Sequence, residues 1–490
     1  MTISPTVWLS EFVTNLQTAD AQANPKVIGL ANGNFLVVWE DDNDSTADGF
    51  ATDIVGVIFN ALGEPLTGSL YLNFPFGFSR AEKLESIAAT PDGGFVVIYE
   101  FRSGDDGDLI FGIYDAVGSR TEQGFVVSDD SVNGITYDNA SVAVASDGSF
   151  FVTYERDDGT NQDIVGKKIS ADGSTIGAEQ VLRADGFSNG ADLEDILDPQ
   201  TVALDSGGFA TVYSENDNNG GANERTIELL FSNADGTSST LINNVSTPDG
   251  SPDSNPRVAE LADGRILVAW QEAGDLRGRI FNDNGTESIA KFNITSNTNL
   301  SFTLMDVVAL EDGGYVTVFR DDTDGRLFFV RGINGAQVGL TQFVQTDAEG
   351  VGGDITDASA SLTTDGRILV SWHNGEIYTE IFDPRDSSII DVEADDGQTT
   401  GRQTATTING SSSDDIIYGV GGDDTIFGND GHDIIDGGSG NDMMFGGIGN
   451  DTYYFDSTAD SATENAGEGF DTVFVNFDLK ANRLDWLNIE

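Results

Sequence analysis

The sequence predicts an all-β protein: a seven-bladed β-propeller, then a linker, then a short stack of turn-and-strand coils. Three observations carry this. A turn followed by an aromatic-ended strand recurs seven times between residues 32 and 373. That strand is apolar at nearly every position rather than at every second one. A nine-residue segment then recurs five times in register between 410 and 454.

The long repeat reads NGNFLVVWE from 32, DGGFVVIYE from 92, DGSFFVTYE from 147, SGGFATVYS from 206, DGRILVAWQ from 263, DGGYVTVFR from 312 and DGRILVSWH from 365. Its Gly falls at 33, 93, 148, 207, 264, 313 and 366, a period of 49 to 60 residues, which points to a propeller or a solenoid. Each copy opens with a short strand (KVIGL at 26, SIAAT at 86) and turns at Asp-Gly or Asn-Gly, the strongest short hairpin signal. The aromatic-ended strand follows, then an acidic loop, a third strand such as DIVGVIF at 53 and a fourth such as QVLRA at 180. Continuous apolarity in an antiparallel hairpin means that both faces are covered. Seven four-stranded sheets, each packed between two neighbours in a ring, satisfy this. A row of β-sandwiches does not, because ~55 residues are too few for each.

Residues 1–393 are assigned to the propeller. Ring closure commonly pairs a strand from one terminus into the last blade, so residues 6 to 15 are expected to complete the blade containing Ile368 to Trp372. The strand SIIDVE at 388 is then displaced towards a polar linker, 394–409. The strand-end aromatics Trp39, Tyr99, Tyr154, Tyr213, Trp270, Phe319 and Trp372 occupy equivalent positions, which suits blade-to-blade core better than a sugar-stacking platform. The loops after them carry Asp41, Asp42 and Asp44, Asp105, Asp106 and Asp108, Asp157 and Asp158, Glu215 and Asp217, and Asp321, Asp322 and Asp324. None forms the twelve-residue loop ending in Glu of an EF-hand, and they read as a solvated acidic rim.

The short repeat runs GSSSDDIIY, GVGGDDTIF, GNDGHDIID, GGSGNDMMF, GGIGNDTYY from 410. Position six is always Asp (Asp415, Asp424, Asp433, Asp442, Asp451) and position eight always apolar (Ile417, Ile426, Ile435, Met444, Tyr453). Glycine clusters permit tight turns, and each short strand must stack on a neighbour to bury anything. If two nonapeptides make one coil, residues 18 apart superpose. Asp415, Asp433 and Asp451 then line one edge, and Asp424 and Asp442 the other. Carboxylates stacked this way repel unless a cation lies between them, and oxygen-only ligands at flexible turns suit calcium better than zinc or magnesium.

In these residues the sequence resembles the RTX family of hemolysin-type calcium-binding nonapeptide repeats. The resemblance implies a short parallel β-roll at 410–455, with Ca2+ held by the five Asp side chains and by glycine carbonyls, here Gly422, Gly431, Gly440 and Gly449. Ser411 to Ser413, Val420 and Asn429 depart from the pattern. The acidic, apolar segment 456–490 resembles those that cap such arrays, and its end at Glu490 suggests a fragment or an unusually short cap. Resemblance further implies type I secretion, with calcium met outside the cell.

Composition bounds what remains. A net charge of −60, from 83 acidic and 23 basic residues, excludes ordinary nucleic-acid binding and argues against anionic membrane surfaces. There is no cysteine, hence no disulfide, thiolate catalysis or cysteine-ligated zinc. The start, MTISPTVWLSEF, lacks the features of a Sec signal peptide, and no apolar run reaches the ~18 residues of a membrane helix. Only two His occur, His373 and His432, with no metal-ligand pair and no nucleophile elbow. ADGRILVAW and TDGRILVSW are similar to strands of sialidase propellers, but the Asp-box serine pattern is missing. No catalytic residue is assigned. The reading is a secreted, non-catalytic surface or matrix component whose propeller recognises a protein or glycan, with self-assembly open to it. The alternative is a secreted polysaccharide hydrolase or lyase using paired carboxylates on the propeller axis.

Overall fold

The architecture comes from a computed structural model. It leaves undescribed residues 1–5, 16–20, 43–51, 62, 74–81, 104–105, 128–134, 159–161, 185–195, 217–224, 243–244, 247–252, 296–300, 323–324, 344–354, 365, 384–388, 392–406, 410–415, 419–424, 438–439, 456, 458, 466, 468 and 476–490; all others are described. The chain divides into two compact units, one drawn chiefly from residues 8–384 and the other chiefly from 385–490.

The first unit is a seven-bladed propeller of four-stranded antiparallel sheets. In the first blade the strands are Gln22–Gly29, Phe35–Asp41, Asp53–Phe59 and Leu70–Tyr71, paired in chain order. Every first hairpin turns on the glycine of the long repeat. All seven glycines have positive φ, between 78° at Gly264 and 90° at Gly93, a backbone region that residues with a Cβ avoid. The second strands are buried at each described apolar position, as in Phe35 to Trp39 and Ile368 to Trp372. The seven strand-end aromatics are at most 2% exposed, so they are inter-blade core and offer no platform to a sugar. Clusters such as Leu36, Val38, Ile54, Phe95, Val97 and Tyr99 join one blade to the next.

The first strand of each blade touches that of the next, and the seventh returns to the first. Thr6–Val13 closes the ring as the outer strand of the last blade, beside Glu376–Asp383, in the order 6–13, 376–383, 368–374, 358–362. The following residues fasten it. Thr14 N donates to Ile377 O at 2.7 Å, the Thr14 and Thr379 hydroxyls meet at 2.7 Å, and Asn15 Oδ1 accepts from Ile377 N at 3.1 Å. At the same seam Gly29 is needed for closeness, because a Cβ there would lie 2.1 Å from Leu362 O.

The second unit is a two-sheet parallel roll. Ile389–Asp391, Ile416–Tyr418, Ile434–Asp436, Thr452–Phe455 and Thr472–Val475 form one sheet. Thr407–Asn409, Thr425–Asp430, Met443–Ile448 and Ser461–Ala462 form the other. The register is 18 residues: Ile416 faces Ile434, Ile434 faces Thr452, and Thr425 faces Met443. Position-eight residues Ile417, Ile426, Ile435, Met444 and Tyr453 fill the core with Phe455 and Ala462. The roll therefore starts earlier than the repeat. The strand at 389–391, which lies inside the span expected for the propeller, and that at 407–409, inside the expected linker, both pair with nonapeptide strands. Their parallel ladder needs only an extended backbone, so it asks for no glycine motif that would have marked it in the sequence.

Candidate metal centre

The turns between the roll's sheets stack as tightly as the backbone allows. A Cβ on Gly449 would lie 1.5 Å from Gly431 O, and one on Gly447 would lie 1.9 Å from Asn429 O. Asn429 stands in the glycine column with φ of 83°, a conformation that Asn tolerates better than most residues. Stacked turns bring the position-six aspartates inside. Asp433 and Asp442 are fully buried and Asp451 is 1% exposed. In the three nonapeptides whose aspartates are described, the carboxylate points at the first glycine. A Cβ on Gly428, Gly437 or Gly446 would sit 2.2, 2.5 or 2.2 Å from Oδ2 of Asp433, Asp442 or Asp451. The repeat thus requires glycine there to leave room for a carboxylate.

One oxygen each of Asp451, Asp460 and Asp471 is used in a ladder. Asp451 Oδ1 accepts from Asp433 N at 2.8 Å and Asp460 Oδ1 accepts from Asp442 N at 3.1 Å, each 18 residues away. Asp471 Oδ1 accepts from Asp451 N at 2.9 Å. Backbone N–H groups therefore offset part of the negative charge along each edge. Asp433 and Asp451 share one edge and Asp442 lies on the other, as the 18-residue spacing predicts. Asp415, Asp424 and Gly422 lie outside the described residues. Gly431, Gly440 and Gly449 stand at the turns beside these aspartates.

Three residues of the centre escape the nonapeptide pattern. Asp460, Glu464 and Asp471 belong to the segment after the array and continue its edges. Their signal is spacing alone: 18 added to 442 and to 446 gives 460 and 464, whereas 471 lies 20 beyond 451. Glu464 accepts from Gly446 N at 3.0 Å and Gly447 N at 3.2 Å. Its carboxyl is pushed up to about 7, chiefly by burial, with Asp471 and Asp451 adding to the push and the two N–H donors opposing it. Carboxylate oxygens of Asp451, Glu464 and Asp471 lie within 4.8 Å of one another, all three side chains buried.

This is a cradle for a hard cation. The donors are oxygen only, the carboxylates are packed closer than like charges tolerate, and glycines keep space where a Cβ would intrude. Asp433, Asp442 and Asp451, with carbonyls of the Gly431, Gly440 and Gly449 turns, would hold calcium. The ion would supply the positive charge that stacked carboxylates lack.

The propeller uses its polar groups differently. Its described rim acids are tied to the protein: Asp42 Oδ1 accepts from Ala21 N, Asp322 bonds Ser301, Thr303 and Arg320, and Glu215 pairs with Arg183. On the first strands a ring of polar side chains reaches from blade to blade. Ser86 Oγ accepts from Val142 N at 3.2 Å, Ser141 Oγ from Thr201 N at 3.0 Å, Asp306 Oδ2 from Ala360 N at 2.8 Å and Ser359 Oγ from Val27 N at 3.3 Å. Arg257 closes the same gap by donating to Met305 O at 2.7 Å. Lys26 feels the charges of Glu85, Arg257, Asp306 and Asp357 on four other blades, and burial holds its ammonium below the usual lysine range. Glu85 accepts from Ala140 N at 2.9 Å and pairs with Lys83 at 2.8 Å. The carboxylates of Glu85 and Asp306 are thus engaged as ties between blades.

Residues 400–435 and 418–453 match the family model of the RTX calcium-binding nonapeptide repeat (4 copies). No curated protein matches the chain. Among solved structures, polysaccharide lyase Uly1 is 12% identical, over 75% of this chain and 91% of its own, with a TM-score of 0.49. A Dyadobacter fermentans protein of unknown function is 13% identical, over 78% and 99%, with a TM-score of 0.46. The Hadza microbial sialidase Hz136 is 12% identical, over 67% and 73%, with a TM-score of 0.44. The chain carries calcium-binding RTX repeats.

Proposed function

We propose that this is a secreted, non-catalytic surface or matrix protein whose roll folds on calcium and whose propeller recognises an extracellular protein or glycan. The observation that carries the calcium half is the stack of buried aspartates on glycine-lined turns. A site whose ligands are brought together only by folding makes metal binding part of the folding free energy. Low calcium then leaves the roll open, and a calcium-rich exterior closes it. The propeller half rests on how its acids are used. Glu85 and Asp306 accept inter-blade N–H groups, which suits a rigid scaffold better than a general acid or base.

The test is a panel of anionic and neutral sugar polymers, assayed on the full chain for both binding and turnover, with calcium and with a chelator. Binding without turnover, and a roll far better protected from hydrogen exchange with calcium than with the chelator, are the expected results. Turnover abolished by E85Q or D306N would replace this reading with the hydrolase or lyase alternative.

A further inference from the structure

We propose that the calcium array runs two units past its recognisable repeats and ends in a three-carboxylate site, Asp451, Glu464 and Asp471, that takes a calcium ion of its own. The site rests on the calcium reading of the roll and adds ligands that the nonapeptides do not contain. The hidden units are 455–463, FDSTADSAT, and 466–474, AGEGFDTVF. Both lie beyond the family match, which ends at 453. Position six is Asp in each, Asp460 and Asp471, and position eight is apolar, Ala462 and Val473. The first unit has no glycine, while the second keeps Gly467 and Gly469 at positions two and four.

The backbone treats these units as members of the array. Ala462 pairs beside Met444 and Val473 beside Tyr453, and both pack on the roll's core. Along the edge that carries Asp433 and Asp451, position two has a positive φ in each described turn: 83° at Asn429, 100° at Gly447 and 91° at Gly467. At position four a Cβ on Gly469 would lie 1.4 Å from Gly449 O, as one on Gly449 would lie 1.5 Å from Gly431 O. Asp471 Oδ1 accepts from Asp451 N at 2.9 Å, as Asp451 Oδ1 accepts from Asp433 N at 2.8 Å. The turn that ends at Asp471 is therefore built like the calcium turns before it.

Between the two units stand Glu464 and Asn465, an insertion that lengthens the spacing from 18 to 20 residues. It delivers a third carboxylate to the edge. Glu464 is 2% exposed, and its two oxygens accept from Gly446 N at 3.0 Å and Gly447 N at 3.2 Å. Asp451 Oδ2 lies on the same glycine, 2.2 Å from where a Cβ of Gly446 would stand. Asp451 uses Oδ1 for Asp433 N, whereas Oδ2, buried inside the turn, accepts no hydrogen bond. Oxygens of Asp451, Glu464 and Asp471 come within 4.8 Å of one another. Like charges at that separation repel unless a divalent ion lies between them, and three hard oxygen donors at a glycine turn suit calcium. The turn before it brings Asp433 and Asp451 to this edge, one carboxylate fewer. Ligand charge count tunes calcium affinity, so Glu464 should strengthen the terminal site.

The experiment is hydrogen exchange of the full chain at pH 8, in excess calcium and in chelator, read on Thr472–Val475, with bound calcium counted by equilibrium dialysis. The ratio of protection with calcium to protection in chelator grows with every ion held by the folded form. In E464Q and in D471N that ratio should fall about ten-fold or more, and the double variant E464A/D471N should hold one calcium fewer per chain than the wild type. A Glu464 that merely braces Gly446 would lower protection in both conditions and leave the ratio unchanged; that result overturns the proposal. An unchanged calcium count in the double variant overturns it too. A wild type protected equally with calcium and with chelator throughout the roll would instead remove the calcium reading, and this site with it.

Discussion

Asp451→Asn gives the sharpest test of the metal centre, because its effect should change sign with calcium. The asparagine keeps the Oδ1 that accepts from Asp433 N and removes only the charge. Without metal, Asp451 faces Asp471 and Glu464 with carboxylate oxygens within 4.8 Å. At an effective dielectric constant of about 20, two like charges at that distance repel by about 3.5 kcal/mol. Glu464, pushed up to about 7, is about half ionised at neutral pH and adds about half as much. Weakening of the charge-assisted ladder bond gives back about 1 kcal/mol. The net stabilisation of the metal-free roll is about 4 kcal/mol, several hundred-fold in its opening equilibrium. With calcium the same change removes a ligand charge, and affinity should fall about ten-fold or more. Hydrogen exchange of the roll peptides in chelator and in calcium reads both arms. A variant that opens more readily than the wild type in chelator would refute the charge argument. Unchanged calcium affinity would refute the assignment of Asp451 as a ligand.

Other outcomes follow from the same geometry. Gly449→Ala places a methyl group on Gly431 O, and the stacked turns must part; the roll should lose about 1–3 kcal/mol and bind calcium more weakly by calorimetry. Trp270→Ala empties a fully buried site between blades and should cost the propeller about 3–5 kcal/mol, read as a lowered urea midpoint. Asn15→Ala removes the acceptor of Ile377 N at the ring closure and should cost about 1–3 kcal/mol, read by limited proteolysis of the N-terminal strand. In the metal-free roll Glu464 has a raised carboxyl, so its contribution is complete below the ordinary glutamate value and fades as pH rises through about 7. Calcium uptake at pH 7 should therefore release protons, measurable as a buffer-dependent binding enthalpy.

Much of this was legible because certain positions admit one solution. The seven hairpin glycines occupy left-handed φ, so the blade repeat shows through even where its strands share little. The position-six aspartates need glycine opposite them, which keeps the nonapeptides in register. The ties between blades were not legible. Ser86, Ser141, Arg257, Asp306 and Ser359 all close the same gap with different chemistry, since hydroxyl, guanidinium and carboxylate can each reach a backbone group. The roll's extensions were hidden for a related reason. Asp460 and Glu464 keep the spacing without the glycines, and Asp471 changes the spacing as well.

The pairing of Thr6–Val13 with Glu376–Asp383 sets the order of events in biosynthesis. The hydroxyl contact that fastens it joins residues 365 apart in sequence. Six blades can form from local hairpins while the polypeptide is still being made, but the seventh must wait for residue 383, with the N-terminal strand held in reserve until then. Closure of the circle is thus a late, entropically costly step. Before it, the neighbouring strand presents an open edge to any other chain nearby.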